Sequence, residues 1–267
     1  PAPSAVRAAP RPSAAGPAGD PRPPLRARAP LESTMTLSLM CLPYAGGGAG
    51  VFRPWQNQPE LPFRVVPVQL PGRDEWFVQD PCTTMADAAR VCADQIREAA
   101  GTGPFAVFGH SFGALLAYET VRLLAAEGAP PEHLVVSGAA APDVDRPRMD
   151  GAALDDDAFV ARLRGLVGYD HEAWHEPELR ELLLPALRAD LAVQDAYVPS
   201  PGPPLPMPLT VLRGTGDDLV RHEDAARWAE YASSGARVVD MPGGHMYFTE
   251  DWPLLWKTLG TLLADHG

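Results

Sequence analysis

The stretch from Pro104 to Val121 limits the possible folds more than any other. Pro104-Phe105-Ala106-Val107-Phe108 reads as a strand, and Ala114-Leu115-Leu116-Ala117-Tyr118-Glu119-Thr120-Val121 as a helix. Between them lies Gly109-His110-Ser111-Phe112-Gly113, a G-x-S-x-G pattern. A serine on a sharp strand-to-helix turn is a nucleophile elbow, with backbone strain at the serine itself. Gly109 and Gly113 suit that turn, because side chains there would collide across it. The helix that follows aims orphan N–H groups and a partial positive charge at the serine. The five-residue pattern recurs by chance, so its weight comes from the strand before it and the helix after it.

Composition narrows the function classes. A chain of 267 residues fits one large α/β domain or two small ones, and 46% apolar residues suffice for a core. The net charge of −12 argues against non-specific nucleic-acid binding. No apolar run reaches the roughly 20 residues of a membrane span. Three cysteines, Cys41, Cys82 and Cys92, show no C-x-x-C spacing. They fit a reducing compartment, the cytoplasm, better than a disulfide framework or a zinc site.

Residues 1–34 are rich in Pro, Ala and Arg and poor in large apolar residues, so they read as a disordered tail or linker. Five arginines against Asp20 and Glu32 give this stretch +3, leaving −15 on residues 35–267. No long apolar core of a secretory signal is present. The chain opens on Pro1, which fits an excised piece of a longer protein or a processed chain.

The folded part is expected from 35 to 267. Thr36–Leu42 reads as a first strand and runs into Pro43-Tyr44-Ala45-Gly46-Gly47-Gly48-Ala49-Gly50. This glycine loop lacks the signatures of a dinucleotide or phosphate loop. In a G-x-S-x-G hydrolase, the corresponding loop supplies one oxyanion N–H. Ala45 N–H is assigned that role, paired with Phe112 N–H after the nucleophile. Phe63–Leu70 reads as a second strand, followed by the polar loop Pro71-Gly72-Arg73-Asp74-Glu75. Met85 to Ala99 is an amphipathic helix with Met85, Ala88, Ala89, Val91, Cys92 and Ile96 on one face. Leu134–Ala139 is a further buried strand.

From about 142 to 197 no strand signal appears. The stretch is helical and acidic, with Phe159, Leu163, Leu166 and Val167 on one stripe and a second helical pair over Glu176–Gln194. It is expected to form a lid over the strand ends. His171 and His175, four apart, suggest a metal pair on spacing alone; a solvated loop is the simpler reading. Leu209–Arg213 and Ala236–Met241 are later strands. A helix over Glu223–Tyr231 and a closing helix over Trp252–Ala264 complete the alternation. The fold class is α/β, with a mostly parallel sheet and helices on both faces.

A serine hydroxyl needs a base, here a histidine held in one tautomer by a carboxylate. In elbow folds the chain order is serine, acid, histidine. Asp217 and Asp218 follow one strand end and His245 the next, on the same sheet edge as Ser111. The catalytic set is therefore Ser111, Asp217 and His245, with Asp217 chosen because it falls three residues after Gly214. Asp218 keeps the same loop and stays open as the acid. His110 is expected to pack under the turn. His133, His222 and His266 read as surface residues.

These residues together resemble the type II thioesterase family of polyketide and nonribosomal peptide biosynthesis. The resemblance is carried by Leu42-Pro43-Tyr44-Ala45-Gly46-Gly47-Gly48-Ala49, Leu70-Pro71-Gly72-Arg73, Gly109-His110-Ser111-Phe112-Gly113-Ala114-Leu115, Leu182–Asp190 and Gly243-Gly244-His245-Met246-Tyr247-Phe248. It implies an α/β-hydrolase fold with a helical lid, and acyl substrates thioesterified to phosphopantetheine on a carrier protein. It also implies an editing role that frees stalled chains without metal or organic cofactor. Arg53 and Arg73 are candidate carrier contacts at the mouth, against the alternative of internal ion pairs. The family usually has glutamate directly after Pro-Gly-Arg, whereas Asp74 stands here, followed by Glu75. The tail fits a second reading, a terminal thioesterase domain that releases product by cyclisation or acyl transfer. A third reading, a non-catalytic hydrolase-fold binding protein, conflicts with the intact Ser, Asp and His.

Overall fold

Six short apolar runs pair into one sheet: β1 (Ser38–Leu42), β2 (Arg64–Pro67), β3 (Phe105–His110), β4 (His133–Ser137), β5 (Leu209–Gly214) and β6 (Ala236–Met241). The computed structural model describes residues 36–168 and 170–264. The expected tail over 1–34 and His266 lie outside them. The strand order is β2-β1-β3-β4-β5-β6, and every pairing is parallel. Among the described residues, six α-helices lie between strands, α1 (Arg53–Gln56), α2 (Met85–Ala100), α3 (Phe112–Ala126), α4 (Asp156–Val167), α5 (Pro177–Asp195) and α6 (His222–Ala226), and two follow the last strand, α7 (Tyr247–Glu250) and α8 (Trp252–Ala264).

Strands β1, β3 and β4 are buried along their whole length, because helices cover both faces of a parallel sheet. Side chains alternate between those faces. Met40, Leu42, Val107, Leu134, Val136 and Val211 pack with α2 and α3. Leu39, Cys41, Phe108, Val135 and Leu212 pack with Phe52, Trp55 and the α8 leucines Leu255 and Leu259. Helix α2 starts where Thr84 Oγ1 accepts the Asp87 N–H at 3.1 Å, an N-cap.

Several boundaries differ from expectation for identifiable reasons. Strand β2 stops at Pro67 rather than Leu70. It is an edge strand, where a proline without an N–H is tolerated. His133 is buried, contrary to the surface reading, and its Nε2 lies 2.9 Å from Thr210 Oγ1 on the paired strand β5. A partner 77 residues away decides that burial. Val91 is only half-buried on α2, while Ala93 is buried. The expected helical pair over Glu176–Gln194 is one continuous helix, α5, running through Pro185.

The chain goes from β1 outward to β2 and returns to place β3 on the other side of β1. That reversal opens a crevice at the C-terminal ends of β1 and β3, where α/β proteins bind ligands. Between β4 and β5 runs the helical segment with α4 and α5. It has its own apolar cluster of Met149, Phe159, Val160, Leu184, Leu187 and Leu191.

Candidate active site

The elbow is built by sterics. Ser111 adopts φ 55° and ψ −118°, a backbone region that L-residues occupy only under constraint. A Cβ on Gly109 would lie 2.1 Å from Gly113 O, and one on Gly113 would lie 2.3 Å from Pro43 O. Both glycines are therefore required by backbone crossing backbone. Ser111 N–H donates to Ser137 O at 2.8 Å, and Ala114 N–H donates to Ser111 O at 2.9 Å. Phe112 is the first residue of α3, so its N–H has no intrahelical acceptor.

The loops after β5 and β6 are stitched together. Thr215 N–H donates to Met241 O and Gly216 N–H to Gly243 O, each at 2.8 Å. Gly214 passes so close to Gly244 that a Cβ would stand 2.4 Å from its carbonyl oxygen. This contact explains the glycine at 214, at the end of β5. The two loops bring His245 Nδ1 to 2.8 Å from Asp217 Oδ2, and His245 Nε2 to 3.0 Å from Ser111 Oγ. Asp217 is 5% exposed and its other oxygen accepts Leu219 N–H at 2.9 Å. An ionised carboxylate only accepts, so it holds the proton on Nδ1 and leaves Nε2 free to take the serine proton. Asp218, the alternative acid, is exposed. Between the two acids, only Asp217 reaches the imidazole.

His110 lies beneath this chain of groups. Its Nδ1 is 2.8 Å from Ser137 Oγ, which in turn bonds the Tyr247 hydroxyl. Its ring packs 4.3 Å from that of Phe248 and 5.4 Å from that of His245. Burial, with His245 nearby, holds its pKa well below the usual imidazole value, so it is neutral. It is a packing and hydrogen-bonding residue, as its place on the elbow suggests. Burial also raises the Tyr247 hydroxyl pKa well above its usual value.

Ala45 stands at the second position of a turn closed by Gly47 N–H donating to Tyr44 O at 2.9 Å, with Gly46 at φ +75°. That pattern fits a type II turn, which favours glycine at its third position. Ala45 and Ser111 both line a cleft that is partly open to solvent. Its walls are mostly apolar, with Leu115 and Met246 from the sheet side and Met149, Leu163, Leu166 and Leu187 from the helical segment.

The structure decides between the readings left open for the remaining candidates. Arg73, read as a mouth contact or as half of an internal ion pair, is the latter: it is 4% exposed and forms a two-pronged ion pair with Asp190 of α5. Arg53 is exposed. His171, read as part of a solvated loop, is half-buried, packs against Trp174 and lines the cleft. His175 is exposed and lies 3.0 Å from Asp170, which also pairs with Arg164. Among the described residues, no group of three His, Cys, Asp or Glu side chains could hold a metal ion. Nor is any helix of these residues long and apolar enough to cross a membrane.

Known proteins share this architecture. The thioesterase domain family model matches residues 38–261. The gramicidin S biosynthesis protein GrsT of Aneurinibacillus migulanus is 33% identical over 221 residues, 82% of this chain and 86% of that protein. RedJ, the thioesterase of the prodiginine pathway in Streptomyces coelicolor, is 37% identical with a TM-score of 0.77, covering 89% of this chain and 91% of its own. The type II thioesterase BorB of the borrelidin cluster is 31% identical, also at 0.77, covering 88% and 94%. The α/β-hydrolase sheet, the elbow serine and these likenesses lead to one conclusion: this chain belongs to the thioesterase family, alongside the type II thioesterases of polyketide and nonribosomal peptide biosynthesis.

Proposed function

We propose that this thioesterase uses Ser111 to remove acyl groups from the phosphopantetheine arm of a carrier protein and so frees carriers blocked by stalled chains. One observation carries the reading: the hydrogen-bonded chain Asp217–His245–Ser111 ends in an apolar cleft suited to an acyl group. The biosynthetic pathways named for the relatives support a carrier-bound substrate. Asp217 orients His245, and His245 Nε2 takes the Ser111 proton as Oγ attacks the thioester carbonyl. Ala45 and Phe112 N–H groups hold the oxyanion, each worth roughly 3–4 kcal/mol in comparable sites. The C–S bond breaks, the pantetheine sulfur leaves with the proton from His245, and acyl-Ser111 remains. Water, deprotonated by His245, then releases the acid and returns the proton to Ser111. No step needs a metal or organic cofactor.

Residues 142–197 act as the lid, since α4 and α5 contribute one wall of the cleft. The reaction belongs to the folded body, residues 35–267. The body carries −15, so an acidic carrier needs a local cation or an apolar patch. Exposed Arg53 is the remaining candidate of the two arginines. The cysteines are free, which fits a cytoplasmic protein.

Intact mass spectrometry of an acyl-loaded carrier, mixed with the wild type or Ser111→Ala, tests the proposal. The expected result is acyl loss and free acid with the wild type only. Acyl-Ser111 that persists until an amine or alcohol is added would replace hydrolysis by transfer. Carriers left acylated in both samples across several chain lengths would overturn the carrier assignment.

A further inference from the structure

The glycine loop that carries Ala45 has little to hold it from within. Gly46, Gly47 and Gly48 in succession give a segment with many accessible conformations. Its shape comes from outside. Asp190 of α5 reaches across 144 residues, and its Oδ2 accepts Gly46 N–H at 2.8 Å. Arg73 holds that carboxylate from the other side, Nη1 to Oδ2 at 2.5 Å and Nη2 to Oδ1 at 2.9 Å. The same Nη1 also donates to Gly47 O at 3.3 Å. Both side chains are about 5% exposed or less, so solvent hardly competes for these bonds.

Gly46 N–H belongs to the central peptide of the turn around Ala45. The orientation of that peptide is what separates a type II turn from a type I turn. Moving it also moves the neighbouring peptide, whose N–H is that of Ala45. Leu187, one helical turn before Asp190, closes the space around Gly46, where a Cβ would stand 2.9 Å from Leu187 Cβ. Helix α5 therefore touches the oxyanion loop through one carboxylate and one leucine.

We infer that Asp190, clamped by Arg73, is a positioning residue that sets the Ala45 N–H for the oxyanion and makes catalysis depend on the docking of α5. The inference rests on the role of Ala45 proposed above. Asp190 contacts the loop rather than the reacting atoms, and its effect is to keep the donor pointed at a charge that exists only in the transition state. The helical segment then does more than cover the cleft: its seating on the sheet completes the oxyanion hole.

The test compares Arg73→Met/Asp190→Leu with Asp190→Asn on one acyl-pantetheine substrate. The double variant removes both charges together, so neither is left buried alone, and deprives Gly46 N–H of its acceptor. Asp190→Asn keeps an oxygen for Gly46. The double variant is expected to lose roughly 10- to 100-fold in kcat with KM within about twofold. Its affinity for an acyl-pantetheine trifluoromethyl ketone, which forms an oxyanion on Ser111, should fall by a similar factor. Affinity for the matching thioether, which forms none, should hold. Asp190→Asn should lose less on both measures. A merely structural pair would change melting temperature and the fraction of titratable Ser111, and leave the ketone-to-thioether ratio alone. An unchanged ratio in the folded double variant overturns the inference; if that variant does not fold, the ratio for Asp190→Ala, which also leaves Gly46 N–H without its acceptor, decides in the same way. Loss of wild-type thioesterase activity on every carrier substrate would instead sink the reading of the reaction itself.

Discussion

Two loops at the same sheet edge are assigned the same task, and they are held in opposite ways. The elbow after β3 is shaped by backbone alone: Gly109 against Gly113 within the turn, Gly113 against the main chain at the end of β1, and a helix beginning directly after the serine, at Phe112. The loop after β1 is shaped by distant groups. Asp190 holds Gly46, Asp74 Oδ2 accepts Gly50 N–H at 2.9 Å, and Gln69 Oε1 accepts Ala49 N–H at 3.2 Å. A locally determined turn keeps its geometry as long as its strand and helix form. A turn held from outside follows whatever holds it, so on the inference above the Ala45 N–H responds to the helical segment while Ser111 does not.

The largest effect should come from the acid shared by neither loop. Asp217→Asn leaves the contacts in place but favours the wrong imidazole tautomer, and kcat should fall on the order of 10⁴-fold. Exposed Asp218→Asn should change kcat by less than about twofold. Steady-state hydrolysis of an acyl-pantetheine thioester reads both, and equal losses would remove the assignment of Asp217.

Next, the contrast between the loops can be broken on the elbow side. Gly113→Ala places a methyl group against backbone carbonyls that cannot yield, and stability should drop by about 3 kcal/mol. Urea unfolding measures it. On the other loop, Gly46→Ala meets a positive φ and a leucine side chain that can shift. It should cost about 1–2 kcal/mol of stability and roughly 10-fold or more in kcat. If the two substitutions act alike on both measures, the distinction between local and remote shaping fails.

A smaller effect sharpens the account of the floor beneath the elbow. His110 is kept neutral in the folded state, so its folded pKa lies below the unfolded value of about 6.5. The unfolded chain binds the extra proton, and stability therefore rises with pH. The penalty is absent above about pH 6.5 and grows as pH falls below it, by at most about 1.4 kcal/mol per unit from this group. Denaturation curves at several pH values should show that slope, and His110→Gln should flatten it.

Much of this was legible because it is local. The strand-serine-helix succession, the alternation of strands and helices, and the order of Ser111, Asp217 and His245 are all written in short stretches. The geometry of the first of these is dictated in part by sterics between near neighbours, Gly109 against Gly113. The closing helix over Trp252–Ala264 and strand β6 match their expected limits. Where expectation failed, the deciding partner was remote. For Arg73, read as either a mouth cation or half of an internal ion pair, Asp190, 117 residues on, decided for the pair. His133 looked polar and exposed until Thr210 received it.

The sequence by itself determined which chemistry this chain carries, because a nucleophile, its base and its acid are residue types at strand ends that periodicity can locate. Only the tertiary structure decided which charges are buried, which acid touches the imidazole and what holds the glycine loop. Those depend on pairs far apart along the chain, and burial is a property of the packed whole rather than of any one segment.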